Sequence, residues 1–482
     1  MLDDLRNERL KKRAALEQAG FDPYPATVKR TARIAEIIKD WKKYALKKTK
    51  LTVVGRVFGM RGQGGISFLD LKDESAGIQI VLQKDSTNDF TIVRDNTDIG
   101  DFIEATGAAF VTKKGEKSIQ ATDFRIISKS IRPIPSEWYG IEDQELRFRR
   151  RYLELAIKPE VREMFRKKTA FWASTRDYLI RSGFLEVETP VLESVTGGAD
   201  ARPFITHHNA LDIDTYLRIS PELHLKRLLV GGFERVFEIG RIFRNEGIDD
   251  EHLQDYTQME MYWAYQDYVG LMDFVEKLVK YVIKTTFGET KLLCGWGSID
   301  WGKKWPRVDY FELLSKEWGV DAAKLTVPQL YELAKKLHVT LEPNLGRGRA
   351  LDNIYKKTVR PKLIQPMFLI NPPVDVEPLA KRIPGKSDCV ERFQILAMGS
   401  ELGKGFSELN DPVDQRGRFE EQAKLRAAGD EEAQMNDIDF VEALEYGMPP
   451  AAGFAYSERL FAILMDKPVR ECVFFPILRP KK

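Results

Sequence analysis

The residues with the most chemical potential fall in three clusters. The first spans residues 237–262, FEIGRIFRNEGIDDEHLQDYTQMEMY. Phe237, Ile239 and Phe243 alternate there with Glu238, Ile242 and Arg244, and Tyr256, Gln258, Glu260 and Tyr262 alternate with Thr257, Met259 and Met261. A period of two puts each set on its own face of a strand. The polar link over 245–255 holds Gly247, so the unit reads as a hairpin with a long loop. One face of its second strand shows an amide, a carboxylate and a phenol in a row. The bulky neighbours Tyr256, Met261, Trp263 and Tyr265 point to a cavity wall rather than open surface. The second cluster is ELGKGFSE, where Glu401 and Glu408 flank Gly403 and Gly405. Carboxylates on a glycine-bent strand suit a magnesium ion, which takes oxygen ligands, or an ammonium group, which takes negative charge; plain surface charges are the alternative. The third is GFAYSERLFAIL, a strand of small residues followed by Glu458-Arg459 opening a helix. An arginine beside free backbone N–H groups can clamp a phosphate chain. Glu222, just ahead of the amphipathic run Leu223, Leu225, Leu228 and Leu229, sits where peptide dipoles favour a carboxylate.

Several elements must hold these clusters in place. Residues 160–182 have helical periodicity and end at Ser182-Gly183, a stop signal. FLEVETPVL follows as a strand whose Pro190 implies an edge or a bulge. In TGGADARPFITHH, Gly197-Gly198 lets the backbone approach a ligand closely. Residues 270–285 read as a helix, and the charged stretch 411–428 as a helix facing solvent. Residues 290–365 carry little motif content beyond one clear helix in TVPQLYELAKKL, and are taken as an insertion.

The first third of the chain is organised differently. Residues 2–20 form a helix ended by Pro23 and Pro25, and residues 31–46 a second, basic helix. From Leu51 the period shortens to two over 51–57, 66–71, 77–82, 101–111 and 117–127, with turns at GQGG, DESAG and KKGEK. Five short strands in this compass predict a small Greek-key barrel of the oligonucleotide-binding (OB) type, with a saccharide-binding or purely structural barrel as the alternative. Phe68 and Gln79 lie mid-strand; a ring and an amide are what reading an unpaired base requires, although Phe68 could equally fill the core. IRPIPSEW, residues 131–138, is an extended linker, and the basic run over 147–151 is assigned a structural role. The expected domains are a basic helical extension (1–50), the barrel (51–135), a linker (136–150) and a second domain (151–482).

With 482 residues, 43% of them hydrophobic, the chain has material for more than one core. Its 75 basic and 73 acidic residues leave a net charge of +2, which neither suggests nor excludes nucleic acid. Residues 1–50 hold 14 Lys and Arg against 7 Asp and Glu, a bias suited to a phosphate backbone or to a solvated helix face. Cys294, Cys389 and Cys472 are far apart and form no CxxC pair, which argues against a disulfide framework or structural zinc and for a reducing compartment. Charges from Asp3 onward predict no secretion leader, and no apolar run is long enough to span a membrane. A cytoplasmic protein is expected.

FRxE, a variable loop, and then an aromatic-Thr-x-x-E strand resembles motif 2 of the class II aminoacyl-tRNA synthetases. The helix, strand and Pro190 resemble motif 1, and GFAYSERLFAIL resembles motif 3. The ELGKGFSELND and TGGADARPF stretches narrow the resemblance to the class II lysyl-tRNA synthetases, over almost the whole chain. The resemblance implies an α+β fold: an N-terminal five-stranded OB-fold barrel and a catalytic domain built on an antiparallel sheet flanked by helices. It implies a lysine–tRNA ligase acting on L-lysine, ATP and tRNA(Lys), with Mg2+, as a homodimer, and no membrane association. Carried over residue by residue, Arg244 bridges the lysine carboxylate and the α-phosphate, Glu246 contacts the adenine side, and His252 lies over the triphosphate. Tyr256 takes the place of an adenine-stacking Phe, and Arg459 stacks on adenine or meets the γ-phosphate. Gly198 lies beside the lysine pocket, Glu222 holds the α-amino group, and Tyr262 with Glu408 receives the ε-ammonium. Glu401, and Glu408 with it, binds the metal. Arg56, Phe68 and Gln79 match the anticodon-reading positions, the last two on the middle uridine. Three positions depart from the family: HLQDYT replaces HNPEFT, with Glu251 where Thr or Arg is common; Lys404 stands where an Asn helps hold the substrate carboxylate; and motif 3 is one residue short, with Ala455 and Ser457 near positions often Gly. A sister enzyme for aspartate or asparagine, or a catalytically silent paralogue acting as a binding module, are the competing readings.

Overall fold

A computed structural model of the chain describes residues 2–47, 50–135, 141–427 and 433–480. It divides into two compact units between Ile157 and Lys158. The expected boundary at 150/151 falls earlier, because the helix Arg151–Ile157 belongs to the first unit, where Glu154 pairs with both Arg147 (2.8 Å) and Arg151 (2.6 Å). Residues 136–140 of the expected linker lie outside the described residues.

In the first unit, α1 (Leu2–Gln18) precedes two short helices, Ile34–Lys39 and Trp41–Lys47, where periodicity suggests one. Asp40 separates them by leaving helical geometry, at φ −94° and ψ 24°. Five strands follow: β1 (Lys50–Gln63), β2 (Ile66–Lys72), β3 (Gly77–Gln83), β4 (Phe102–Val111) and β5 (Lys117–Ser128). They close into a barrel in the order β1-β2-β3-β5-β4. Alternation sends Leu69, Leu71, Ile78, Ile80 and Leu82 inward against Leu51, Val53 and Val57. Each such side chain gains roughly 1.5–3 kcal/mol on leaving water.

The second unit is organised on an eight-stranded sheet. Its strands, in chain order, are β6 (Leu185–Glu186), β7 (Arg235–Phe243), β8 (Asp255–Ala264), β9 (Arg307–Asp309), β10 (Met367–Ile370), β11 (Arg392–Ala397), β12 (Ser400–Ser407) and β13 (Ala451–Ser457). Their spatial order is β9-β10-β11-β12-β13-β8-β7-β6. Only β6–β7 and β9–β10 pair in parallel. One face of β8 is sealed: Met259 and Met261 are fully buried, and Trp263 meets Phe184 and Phe274 edge-on. Two helices serve that side, α2 (Pro159–Arg181) and α4 (Tyr268–Phe287), the latter burying Leu271, Val275, Leu278 and Val282. Between them in sequence comes α3 (Glu222–Val230).

Three expectations change. FLEVETPVL is not one strand: β6 and Leu192–Glu193 are two-residue strands in different sheets, and Pro190, which offers no N–H to a ladder, lies in the gap. Helix Pro412–Ala427 is not wholly solvent-facing, since it buries Gln415, Arg418 and Phe419; residue 428 lies outside the described residues. Residues 290–365 are an integral part of the unit. Their helices, including α5 (Arg347–Thr358), share one core with Leu369 of β10 and Leu396 of β11, and they add β9 to the sheet. No helix among the described residues is long and apolar enough to cross a membrane.

Candidate active site

The other face of β8 floors a cavity of about 430 Å³. Its shape follows from strand register. Lys404, Ala455 and Glu260 stand opposite one another across β12, β13 and β8, and so do Phe406, Gly453 and Tyr262. Directly opposed residues share a face, so the small residues of β13 leave a trough between larger walls. Gly453 is required there: a Cβ would come within 2.4 Å of both Glu408 Oε1 and the Tyr262 ring. A second backbone is drawn in at Gly198 (φ +85°), where a Cβ would sit 2.8 Å from Glu222 Cβ and 2.9 Å from Ser220 Oγ. The close approach expected of this glycine is made to Ser220 and Glu222, and the residue lines the cavity.

Glu222, Arg244, Glu246, His252, Tyr256, Tyr262, Glu401, Lys404 and Arg459 line the same cavity. Glu408, 1% exposed, is not itself a lining residue; it lies directly behind the floor, with its Oε1 beside Gly453 and the Tyr262 ring. The cavity's bulky walls differ from those expected of the hairpin alone, because Trp263 faces the sealed side and Tyr265 is 72% exposed.

The floor concentrates negative charge. Glu222, Glu260 and Glu408 are 4%, 2% and 1% exposed, and one cation, the fully buried Lys226, stands among them. Lys226 Nζ donates to Glu222 Oε1 at 2.6 Å and pairs with Glu408 Oε2. Glu408 Oε1 accepts no hydrogen bond among the described residues. Glu260 accepts from Ser220 Oγ (2.8 Å), Gln258 Nε2 (2.6 Å) and Tyr262 OH (3.1 Å). Burial, reinforced by Glu222, pushes the Glu260 carboxyl up to about 7. Burial also pushes Glu408 well up while Lys226 pulls against it, and Lys226 itself is held high by Glu222 and Glu408, which outweigh its own desolvation. Burial is the main cause for both carboxyls, and repulsion among three carboxyls that face one ammonium adds to it.

The mouth carries both signs, with Arg244, Lys356, Arg360, Lys404 and Arg459 beside Glu246, Glu251 and Glu401. Among the described residues the Arg244 guanidinium makes two long bonds, both at 3.4 Å to the Ile219 carbonyl, and lies 5.8 Å from the Tyr256 ring centre. His252 Nδ1 is held at 2.8 Å by Asp249, whose Oδ1 also caps the backbone of Glu251 and His252. Arg459 Nε donates to the Glu251 carbonyl at 3.1 Å, and Ser400 Oγ donates to the Glu251 carboxylate at 2.5 Å. Ser457 Oγ caps the helix that follows, α6 (Glu458–Leu464), so the N–H of Arg459 itself is already satisfied. Buried Glu458 accepts from Thr257 N at 3.2 Å and pairs with Lys168, and it also lines the cavity.

Glu401 is the mouth carboxylate expected to hold a metal, together with Glu408. The two are set to different partners. Glu408 engages Lys226, whereas Glu401 accepts from Gln394 Nε2 at 2.7 Å and lies 3.8 Å from the Arg392 guanidinium. Burial opposes ionisation of Glu401, but Arg392, Lys404, Lys356 and Arg459 outweigh it and hold the carboxyl below its ordinary value. Among the described residues no group of three or more His, Cys, Asp or Glu is arranged to hold a metal ion. That excludes an all-protein cage among the described residues; Mg2+ is ordinarily held by one or two carboxylates together with phosphate oxygens, and here Gln394 and Arg392 already engage Glu401 while Lys226 engages Glu408.

On the barrel, Phe68 is half-buried and outside the barrel core. Pairing of Phe68 with Val81 and of Asp70 with Gln79 puts Phe68 and Gln79 diagonally on one outer face. Arg61 lies 5.9 Å from the Phe68 ring, and Arg56 lies 4.4 Å from the exposed ring of Phe102. Gln79 is 6% exposed and accepts from Ser118 Oγ at 2.9 Å through its carbonyl, which orients the amide.

Sequence reasoning left Lys226, Ser220, Gln394, Lys356 and Arg360 unmarked. Lys226 had a signal, its i+4 spacing from Glu222 on a helix. Glu260 was visible in the polar row of β8 but was given no role. The others come from segments without motif content.

Comparison with known proteins places residues 143–479 in the family described as tRNA synthetases class II (D, K and N), and residues 51–127 in the OB-fold nucleic acid binding domain family. A lysine–tRNA ligase of Moorella thermoacetica is 43% identical over 484 residues, covering 100% of this chain and 99% of its own. That of Carboxydothermus hydrogenoformans is likewise 43% identical, with 100% and 99% covered. That of Thermotoga maritima is 42% identical over 490 residues, with 100% and 97% covered.

Proposed function

The chain belongs to the lysine–tRNA ligases of the class II tRNA synthetases, and from that premise we propose how its residues divide the work. The enzyme joins lysine to tRNA in an ATP-dependent reaction, and enzymes of this class use divalent metal. The observation that carries the assignment of roles is the excess of buried carboxyls over cations on the cavity floor. Free lysine brings two ammonium groups. The ε-ammonium goes to Glu408 Oε1 and the Tyr262 hydroxyl, and the α-ammonium to Glu222 and Glu260. A neutral or anionic side chain would leave those carboxylates unpaired at a cost of several kcal/mol, roughly 3–5.

The lysine carboxylate then lies toward Arg244. Its oxygen attacks the α-phosphorus of ATP, the bond from that phosphorus to the bridging oxygen breaks, and pyrophosphate leaves. No side chain forms a covalent bond; positioning and charge neutralisation lower the barrier. Arg244 bridges carboxylate and α-phosphate, Tyr256 stacks on adenine, Glu246 contacts the adenine side, and His252 and Arg459 meet the outer phosphates. In the second step the 3′-hydroxyl of the terminal tRNA adenosine attacks the lysyl carbonyl carbon, the acyl–phosphate bond breaks, AMP leaves, and the hydroxyl proton goes to solvent. A magnesium ion carried on ATP would add positive charge there, with Glu401 among the mouth carboxylates that would meet it.

The barrel reads the anticodon of tRNA(Lys) through Phe68, Gln79 and Arg56. Action as a homodimer in the cytoplasm accords with the family and with lysine–tRNA ligase being a translation activity. The aspartate, asparagine and silent-paralogue readings are not favoured, since relatives aligned over the full chain are lysine–tRNA ligases. Amino-acid-dependent ATP–pyrophosphate exchange tests the pocket: lysine alone supports it, and equal exchange with aspartate refutes the assignment.

A further inference from the structure

The cavity mouth holds a guanidinium with no partner. Arg360 follows α5 in a segment with no recognised motif, and it lines the cavity beside Glu401, Leu402 and Arg459. Its Nε is buried without a hydrogen-bond partner, and it forms no ion pair among the described residues. Every other mouth cation has some counter-charge or acceptor. Lys356, four residues earlier, pairs with Asp352 at 2.6 Å; Lys404 lies 3.8 Å from Glu377; Arg459 is held by the Glu251 carbonyl. Both Lys356 and Lys404 also line the cavity. A buried donor left unpaired costs free energy, and a lining residue that carries one has donor capacity for an anion that arrives in the cavity. The mouth carboxylate, Glu401, has Gln394 Nε2 on one oxygen and Arg392 near the other. Glu246 and Glu251 line this side as well, so its cations Arg244, Lys356, Arg360, Lys404 and Arg459 stand among carboxylates, and Arg360 is the one of them that forms no ion pair or side-chain hydrogen bond among the described residues.

We propose that Arg360, supported by Lys356 and Lys404, is a triphosphate-binding residue of the ATP site, and that these cations supply charge neutralisation which a carboxylate-held divalent ion would otherwise give. The divalent ion then enters on ATP and is held by its phosphates. The planar fork of Arg360 suits two phosphate oxygens at once, and Lys356 adds a point charge on the same side. This rests on the reading of the mouth as the ATP site.

The test is ATP binding to the full chain by calorimetry, with Mg2+ and separately in EDTA, alongside Arg360→Gln and Arg360→Lys, with thermal melts to confirm folding. Wild type is expected to bind ATP in EDTA within about fivefold of its affinity with Mg2+. Arg360→Gln is expected to weaken binding in EDTA about tenfold or more, as loss of a charge-assisted hydrogen bond implies, and Arg360→Lys to recover part of that loss. Without nucleotide, wild type should show no tight Mn2+ site by paramagnetic resonance, and Gln394→Glu, which gives Glu401 an acidic neighbour, should create one. Unchanged ATP affinity in folded Arg360→Gln overturns the proposal while leaving the ATP site intact. If that variant keeps ATP affinity but loses tRNA charging, the guanidinium serves the RNA backbone and the proposal likewise falls. Tight Mn2+ binding to nucleotide-free wild type, with ATP binding abolished by EDTA, also overturns it. Failure of wild type to bind ATP under either condition removes the reading of the mouth itself.

Discussion

The floor and the mouth of one cavity solve opposite problems. The floor gathers three carboxyls within the core and answers them with a single internal lysine. The mouth gathers arginines and lysines at half-exposed positions and leaves Arg360 unanswered. Buried charge is strong and selective because the dielectric is low and an unpaired group is costly. Half-exposed charge is weaker per group, but it can be supplied from several segments and tolerates exchange of one residue for another. Of the positions that depart from the family pattern, Glu251 and Lys404 line the mouth, whereas Ala455 stands in the trough opposite Glu260.

The largest effect should come from breaking the floor. Glu408→Gln is expected to reduce lysine-dependent pyrophosphate exchange by about a thousandfold, as unpairing buried charge costs roughly 3–5 kcal/mol, while ATP affinity changes little. Equal losses for lysine and ATP would end the distinction between the two regions. Gly453→Ala should act next. Its Cβ meets Glu408 Oε1 and the Tyr262 ring at 2.4 Å, and forcing them apart costs about 1–3 kcal/mol. The loss should appear in kcat/KM for lysine and not in ATP affinity. Outside the cavity, Phe68→Ala should weaken tRNA charging about tenfold, in line with one lost stacking contact, and leave exchange intact. Loss of both, with a lowered melting temperature, would make Phe68 a core residue.

The smallest effect is in pH. Glu260 titrates at about 7 in the folded protein against 4.5 ordinarily. Below that pH it carries a proton that the α-ammonium must displace, so KM for lysine should rise as pH falls below about 7, by at most roughly tenfold per unit. Calorimetry in buffers of different ionisation enthalpy should show proton release on lysine binding near pH 7, and less of it in a Glu260→Gln variant. For stability the sign is the reverse of the usual carboxylate case. The folded state holds this proton more tightly, so the contribution is full below pH 4.5 and is lost as pH rises through about 7.

Legibility in the sequence followed locality. The barrel could be read because alternation such as ISFLDLK and GIQIVLQ fixes which residues face inward. Arg244, Tyr256, Tyr262, Glu401 and Arg459 could be named because they sit in contiguous motifs. The strand through Pro190 was over-read, since alternation over 184–192 carries no information about a missing ladder N–H. Residues 290–365 were under-read: their periodic helices pack on the sheet edge, and from them Lys356 and Arg360 reach the mouth, a placement that no local pattern announces.

By itself, the order of residues determined two strand-rich units, the hairpin over 237–262 and the carboxylates and arginines available for chemistry, because periodicity and motif spacing are properties of neighbours along the chain. Only the tertiary structure decided that Lys226 stands between Glu222 and Glu408, that Glu401 faces Gln394 rather than a second acid, and that Arg360 Nε has no partner among the described residues. Those facts depend on which distant side chains share a low-dielectric space, and pairing across a sheet and burial around it are fixed by folding rather than by adjacency.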